Sequence, residues 1–404
     1  MKLSEITTLI EDKISSSNIS LADYVTTDSL LPNKEGKTIA TNLPPTICSL
    51  THYRKGDVLV ANIRPYLKKV WLADKDGGCS SDVLVFRAKE GYISSFLYAV
   101  LLQDCFFDYA MKGAKGSKMP RGDKEQIMRY ELPIFSPQEQ ENIGNLIIDV
   151  TNKLRLNRSI NHNLEAMAKQ LYDYWFVQFD FPDENGMPYK SSGGKMVWNE
   201  KLKREIPEGW HCGNLFEIAV FTNGLACQKF RPKPGEKPLP VIKIREMHDG
   251  ISSDSEEVSP NIPESVKVYN GDVLFSWSAS LEVMVWAYGL GGLNQHIFKV
   301  TSANGFPKSF YYFQLLNYVD VFKKMAEARK TTMGHITQDH LQQSTIAIPN
   351  DKDIVDKFEK RVSPILTGTV KQQEVISILT KLRDSLLPLL MNGQVSVNYD
   401  LSND

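Results

Sequence analysis

The most informative absences in this chain concern cysteine and long apolar runs. Five cysteines stand among 404 residues, with no Cys-x-x-Cys pair and no histidine at the spacing of a zinc ligand. Such a scattered, odd set favours reduced thiols in a cytosolic protein. The start MKLSEITTLIEDK lacks the apolar region of a signal peptide, and no apolar run approaches the roughly 20 residues of a membrane helix. We therefore expect a soluble, cytoplasmic protein.

Motifs for catalysis are missing as well. The chain has no GxxxxGK[ST] phosphate loop and no GxGxxG that opens a helix after a strand. The string LPPT at 43–46 lacks the amide or acid and the aromatic of an amino-methyltransferase motif, and no Asp/Glu-x-Lys follows Pro182-Asp183 at the distance of a nuclease site. We expect no catalytic residue and no metal ligand in this chain.

Charge of one sign is scarce in the total, because 47 Lys and Arg residues balance 48 Asp and Glu residues to a net charge of −1. This balance removes the simplest argument for a nucleic-acid partner, a strongly basic composition. The charge is nevertheless segregated along the chain. The basic segments are 54–75 and 112–124 at +4 each, 226–245 at +5 and 323–330 at +3, and the main acidic segment is 249–264 at −5.

The chain contains an internal repeat. GDVL at 56–59 recurs as GDVL at 271–274, an offset of 215, and Trp71 and Trp286 keep the same offset within apolar runs. Strings rich in β-branched and aromatic residues predict strands in both halves, each followed by a helical string. We interpret each half as a small α+β domain, with the two tryptophans repeat-equivalent and buried in the cores.

A long helical pattern follows each domain. Apolar residues recur with a sustained 3.5-residue period over about 40 residues, roughly 60 Å of helix. This pattern predicts an antiparallel coiled coil, although the two helices could instead pack only on their own domains. Pro364 interrupts the second pattern, so that helix either bends there or starts after it.

The expected fold class is α+β, with two repeated small α/β domains separated by two long helices that form an antiparallel coiled coil. The expected boundaries are domain 1 at 1–136, a central long helix at 137–178, a linker at 179–205, domain 2 at 206–350, a C-terminal long helix at 351–392 and a tail at 393–404.

Several strings resemble the specificity (S) subunit of Type I restriction-modification systems. They are GDVLVANIRPYLKKVW, the KGSKMPRGD loop before ELPIFSPQEQENI, LYDYWFVQFDFP, the linker KSSGGKMVWNEKLKREIPEGW, and GDVLFSWSAS with GGLNQHIF. The resemblance spans nearly the whole chain. It implies that each globular unit is a target recognition domain and that the long helices bind two modification subunits.

The resemblance further implies a non-catalytic, sequence-specific DNA-recognition subunit that reads a bipartite target, with one half-site per domain and a fixed spacer set by the coiled coil. The implied partners are double-stranded DNA, two modification (methyltransferase) subunits and restriction (endonuclease/translocase) subunits, with no membrane. This chain would hold no cofactor, whereas S-adenosylmethionine, ATP and Mg are expected in the partner subunits. The alternatives are a coiled-coil adaptor with duplicated protein-binding domains and, less favoured, a stand-alone RNA binder.

Candidate DNA contacts come from the basic segments and from two loops at repeat-equivalent positions, KGSKMPR and RKTTMGH. Small and hydroxyl residues beside cations suit phosphate contacts, and Arg, Asn and Gln suit base edges. The run at 294–296 also suits the entry of a strand. The predicted DNA-contacting residues are Arg64, Lys68, Lys69, Lys115, Ser117, Lys118, Arg121, Lys229, Arg231, Arg245, Trp277, Asn294, Gln295, Arg329, Lys330, Thr332 and His335.

The apolar positions of the two long helices are the candidate surface for partner subunits. The residues predicted to serve in these partner-binding helices are Ile143, Ile147, Leu154, Leu164, Leu171, Leu379, Leu382 and Leu386.

Overall fold

The structure, a computed structural model, describes residues 1–278, 280–328 and 336–397. The chain divides into two compact units. Unit 1 consists of Met1–Leu156 and the chain from Ile378 onward, and unit 2 consists of Asn157–Ser377. All five cysteines lie in the described part and are free thiols. No described helix is both long and apolar enough to cross a membrane.

Unit 1 is built around two four-stranded sheets with the strand orders β1-β8-β5-β6 and β2-β4-β7-β3. Only the β3–β7 pair is parallel. Its strands are β1 Thr7–Leu9, β2 Lys13–Ser15, β3 Tyr24–Val25, β4 Ser49–Tyr53, β5 Val58–Ala61, β6 Val70–Leu72, β7 Gly77–Cys79 and β8 Val83–Ala88. Its helices are α1 Leu3–Ile6, α2 Ser94–Leu101, α3 Asp104–Lys112, α4 Lys124–Met128 and the start of α5 Pro137–Tyr172.

Unit 2 contains two four-stranded sheets, ordered β12-β19-β16-β17 and β14-β13-β18-β15, and two small sheets, β9 with β10 and β11 with β20. The strands are β9 Met196–Asn199, β10 Arg204–Pro207, β11 Trp210–Gly213, β12 Ala219–Asn223, β13 Leu239–Ile242, β14 Glu257–Val258, β15 Lys267–Val268, β16 Val273–Ser276, β17 Glu282–Val285, β18 Gly291–Leu293, β19 Ile297–Ser302 and β20 Ile346–Pro349. The helices are α6 Leu215–Ile218, α7 Ile244–Asp249, α8 Lys308–Ala328, α9 Gln338–Gln342 and α10 Asp353–Met391, whose end belongs to unit 1.

The predicted repeat is present in the strand order itself. The order β12-β19-β16-β17 reproduces β1-β8-β5-β6, and the GDVL strings lead into the equivalent strands β5 and β16. In the second sheet, the parallel pair β13–β18 reproduces β3–β7, and only the fourth, outermost strand is attached differently. The expectation of two repeated small α/β domains is confirmed.

The two tryptophans are buried as predicted, but they are not structurally equivalent. Val58 pairs with Leu72 in unit 1, whereas Val273 pairs with Val285 in unit 2, so the offset on this strand is 213 and Trp71 corresponds to Met284. Because strand side chains alternate, a shift of two residues keeps the tryptophan on the same face of the sheet. Trp71 accordingly packs in the same buried cluster as Leu59 of the first GDVL string. Trp286 packs in the same cluster as Leu274, the equivalent residue of the second string.

The two long helices are antiparallel, which can be seen within each unit. In unit 1, Ile147 near the start of α5 shares a buried cluster with Leu387 near the end of α10. In unit 2, the ring of Tyr172 at the end of α5 lies 6.1 Å from that of Phe358 near the start of α10, edge to face. The last turn of α5 continues as a π-helix over Asp173–Val177.

Helix α10 begins at Asp353 and runs through Pro364 without a break, so the expectation of a helix that starts after this proline is wrong. A proline inside a helix removes one backbone hydrogen bond. Here Phe358, Val362 and Leu366, on both sides of the proline, are buried in the core of unit 2. Their packing stabilises the helix where its own hydrogen bonding is incomplete.

Candidate nucleic-acid interface

Two loops form the basic surface of unit 1, one after β5 and one after α3. The backbone N–H of Arg64 donates to the carbonyl of Pro120 at 2.7 Å, and Lys115 and Arg121 exchange backbone hydrogen bonds at 2.9 and 3.0 Å. Arg64 has φ of 53°, in the left-handed region that non-glycine residues rarely occupy. The structure thus brings together three basic residues from two separate basic segments of the sequence.

Some predicted contacts in these loops are already held by other groups of unit 1. Lys68 forms an ion pair with Asp104 at 2.8 Å, and the Nζ of Lys69 donates to the carbonyl of Thr27 at 2.5 Å. Burial lowers the pKa of Lys69 below its ordinary value. These two lysines therefore contribute to loop structure before any DNA is bound.

The neighbouring loop offers more accessible cations. Arg121 pairs with Asp82 at 2.5 Å yet is 58% exposed, and Lys115 lies 3.6 Å from Asp123 and is 86% exposed. Ser117 and Lys118 are exposed, and neither side chain has a partner among the described residues. Exposed cations next to hydroxyl groups and turning backbone suit phosphate oxygens.

In unit 2, the predicted cations divide in the same way. Lys229 and Arg231 are exposed and have no carboxylate partner among the described residues. Arg245 instead pairs at 2.7 Å with Glu246, which is 1% exposed. Burial alone would raise the pKa of Glu246, but hydrogen bonds from Arg245 and Ser255 hold it below its ordinary value. Arg245 therefore stabilises the fold around α7.

The remaining predicted residues of unit 2 cluster at the start of β19. Trp277 is half-buried, with its Nε1 donating to Asn223 at 3.2 Å and its ring centroid 5.7 Å from that of His296. Asn294 is 8% exposed, and its Oδ1 accepts the backbone N–H of His296 at 3.3 Å. Gln295 is half-buried, with its Nε2 3.4 Å from the Nε2 of His296. The side chain of Asn294 thus shapes the entry into β19, as the alternative interpretation of this run expects.

Arg329, Lys330, Thr332 and His335 lie outside the described residues. Among the described residues, no group of three or more His, Cys, Asp or Glu side chains could hold a metal ion.

The residues predicted to bind partner subunits are mostly used for packing within this chain. Ile143, Ile147 and Leu154 are at most 4% exposed in unit 1. The other five are Leu164, Leu171, Leu379 and Leu386, which are half-buried, and Leu382, which is 43% exposed.

A second set of apolar side chains on the same helices is exposed, and the sequence reasoning missed it. In unit 2, Met167 on α5 is 55% exposed, and Tyr174, seven residues later in the π-helical continuation of α5, is 38% exposed. In unit 1, Ile378 and Leu389 on α10 are 64% and 37% exposed and are in phase with Leu382. The spacing of these exposed apolar residues is also visible in the sequence, but it is less pronounced than the spacing of the buried residues and was overlooked.

The combination of a duplicated mixed domain, basic loops on each copy and two long helices suits a subunit that recognises DNA. Residues 1–166 match the family model described as the Type I restriction modification DNA specificity domain. Together with the relatives below, this match favours DNA recognition over the adaptor alternative. The chain is therefore similar to the specificity subunits of Type I restriction-modification systems.

The similarity extends over most of the chain. The specificity subunit of the Type I restriction enzyme MjaIX from Methanocaldococcus jannaschii is 24% identical over 359 residues, which cover 87% of this chain and 80% of the relative. That of HindI from Haemophilus influenzae is 21% identical over 401 residues, covering 85% and 87%. The solved structure of a Type I S subunit from M. genitalium superposes with a TM-score of 0.60 at 15% identity, covering 97% of this chain and 95% of that one, and thus shares its fold.

Proposed function

We propose that this subunit reads a bipartite DNA target, with one half-site recognised by each repeated domain. The observation that carries the proposal is the repeated strand order β1-β8-β5-β6 and β12-β19-β16-β17, in which different residues, Asn62 and Trp277, follow the equivalent strands β5 and β16. Two domains that share a scaffold but differ in sequence are suited to recognising two different short DNA sequences. The exposed cations would bind phosphates, and polar side chains between them would contact base edges.

The exposed apolar side chains of the long helices are the surface we assign to two modification subunits. Unit 2 offers Met167 and Tyr174, and unit 1 offers Ile378, Leu382 and Leu389. One such surface in each unit suits two copies of the same partner. The modification subunits would supply S-adenosylmethionine and methylate adenine after flipping it from the duplex. Restriction subunits would supply ATP- and Mg-dependent translocation and cleavage, in the cytoplasm where the DNA is.

The test is to coexpress the chain with its modification subunit and to map methylated adenines across the host genome. A bipartite motif with a constant spacer is the expected result. Binding to a duplex with both half-sites should fall steeply with salt and should require both halves. An adaptor would show neither sequence-specific methylation nor salt-dependent duplex binding, and that outcome would contradict the proposal.

We further propose that the lengths of α5 and α10 set the spacer. The helices contain 36 and 39 residues, or about 54 and 58 Å at about 1.5 Å per residue. Inserting one heptad in register into both helices adds about 10 Å, close to three base pairs at about 3.4 Å each. The methylation motif should then keep its half-site letters and gain spacer positions. Altered letters at an unchanged spacing would contradict the idea.

A further inference from the structure

We propose that Asn62 is a specificity-determining residue that reads an adenine in the half-site of unit 1. The inference rests on the proposed DNA-reading function, since it assigns one base contact within it. Asn62 directly follows β5, between the two basic loops of unit 1.

The backbone of Asn62 is fixed from both sides. Its N–H donates to the carbonyl of Asp82 at 2.8 Å, and its carbonyl accepts the N–H of Gly122 at 3.0 Å. Asp82 is also the ion-pair partner of Arg121, and Gly122 is the next residue of that loop. The side chain of Asn62 is therefore positioned where the predicted DNA contacts of unit 1 converge.

The carboxamide of Asn62 is unusual because it has no partner. The residue is only 5% exposed, its Oδ1 is shielded from solvent, and neither of its polar side-chain atoms is hydrogen-bonded to any described residue. The neighbouring Arg64 likewise has a buried Nε without a partner among the described residues. Buried polar atoms are normally satisfied, so orphaned ones in a native structure require an explanation. A bound ligand that supplies both a donor and an acceptor provides one.

An adenine edge is the chemical match. An asparagine reads adenine by accepting from N6 with Oδ1 and donating to N7 with Nδ2, and this requires that both atoms be free. The space beside the carboxamide depends on Gly122, because a Cβ there would lie 2.8 Å from the Oδ1 of Asn62 and 3.0 Å from the Cδ1 of Ile127. Since Asn62 is so little exposed, the adjoining exposed loop at 115–121 has to shift when DNA binds. A substantial minority of complexes show such loop movements on binding.

In unit 2, the residue equivalent to Asn62 has the same backbone hydrogen bonds but a different side chain. The repeat offset of 215 places Trp277 opposite Asn62. The N–H of Trp277 donates to the carbonyl of His296 at 3.3 Å, and its carbonyl accepts the N–H of Ile336 at 2.9 Å. A tryptophan has only one donor and no acceptor, and this donor is bound to Asn223. Trp277 therefore cannot make the paired contact with adenine that we propose for Asn62, and the two domains differ at this equivalent position.

The test compares methylation maps made by complexes of the full chain with its modification subunit. Asn62→Ala should reduce discrimination at one position of one half-site by about 10- to 100-fold, so that the adenine becomes a degenerate letter. Asn62→Asp keeps the size but has only acceptors, and should shift the preference toward cytosine, whose N4 is a donor. Gly122→Ala, which crowds the carboxamide, should relax the same position. The matched control is Asn18→Ala at an exposed site of the same unit.

The outcomes separate this inference from the function on which it rests. If the wild-type complex methylates a bipartite motif and the folded Asn62 variants methylate the same letters, the assignment of Asn62 is wrong. If the wild-type complex shows no sequence-specific methylation, the proposed function itself fails. A purely structural role would lower the melting temperature and the overall methylation without changing one letter. Should Asn62→Ala fail to fold, the near-isosteric Asn62→Asp variant decides between these outcomes.

Discussion

The salt dependence of DNA binding distinguishes the free cations of this subunit from those held by its fold. Lys118, Lys229 and Arg231 are exposed and lack carboxylate partners among the described residues. We predict that replacing all three by glutamine removes three phosphate contacts. Each contact contributes about −0.9 to the slope of log K against log salt, so the slope should become less steep by about 2.7.

The magnitude is large enough to measure directly. When salt rises from about 50 to 200 mM, the wild-type subunit should lose about 40-fold more affinity than the triple variant. The cations that are engaged within the fold should behave differently. Lys69→Gln removes the hydrogen bond to Thr27, so it should cost about 1 kcal/mol of folding free energy with little change in the slope.

Fluorescence anisotropy with a duplex that carries both half-sites is a suitable assay, using the complex with modification subunits. The matched control replaces Lys190, Lys201 and Lys360 by glutamine, since these are also exposed and have no carboxylate partner among the described residues, but lie outside the proposed DNA surface. This control carries the same charge change. An unchanged slope in the first variant, or an equal change in the control, would refute the assignment.

Three further predictions concern stability. Asp57→Ala should destabilise unit 1 by about 3 kcal/mol in urea denaturation, because Asp57 is 2% exposed and accepts two 2.7 Å hydrogen bonds from Arg87. Replacing Asn161 and Gln372 together by leucine should raise the melting temperature. Each of these residues has a buried acceptor without a partner among the described residues, and such an unsatisfied acceptor lowers the free energy of unfolding by about 1–3 kcal/mol. The third concerns pH, because the pKa of Glu246 is lower in the folded state than in the unfolded chain. Its contribution to the free energy of unfolding is therefore complete above the unfolded pKa of about 4.3 and is lost as the pH falls through the folded pKa. The free energy of unfolding of the Glu246→Gln variant should therefore decrease less steeply at acid pH than that of the wild type.

Controls for these predictions use exposed residues of the same type. Asp74→Ala, at a 55% exposed carboxylate 3.5 Å from Arg155, should change stability by less than about 1 kcal/mol. Asn163→Leu on the exposed face of α5 should not raise the melting temperature, and Glu257→Gln should leave the acid limb intact. Equal effects in variant and control would show that burial is not the cause.

The architecture could be predicted because it follows from local patterns. The GDVL strings and the 3.5-residue period are short-range signals, and the structure confirms the repeated domains and the antiparallel helices. The exact strand equivalence could not be predicted, because a two-residue shift between Trp71 and Trp286 leaves the apolar alternation unchanged. Sequence alone does not distinguish two registers that bury the same face.

The candidate site was harder to predict, because whether a cation is free depends on residues distant in the chain. Lys68 and Asp104 are 36 positions apart, and Lys69 and Thr27 are 42 apart. A local excess of basic residues shows where charge is concentrated, but not which charges are already paired. For the same reason Asn62 escaped notice, since its lack of partners becomes visible only when the surrounding loops are in place.

The repeat also explains how recognition can diverge while the scaffold is kept. In both domains the glycine of the GDVL string has a φ near 90°, and its N–H donates across the hairpin, from Gly56 to Ala73 at 2.9 Å and from Gly271 to Trp286 at 2.7 Å. Only glycine adopts this conformation without strain, so the start of this string is set by backbone geometry. The main chains of Asn62 and Trp277, a few residues further on, are held by equivalent backbone hydrogen bonds. Because these backbone hydrogen bonds do not depend on the side chain, a substitution at this position can change the recognised base without disturbing the neighbouring sheet.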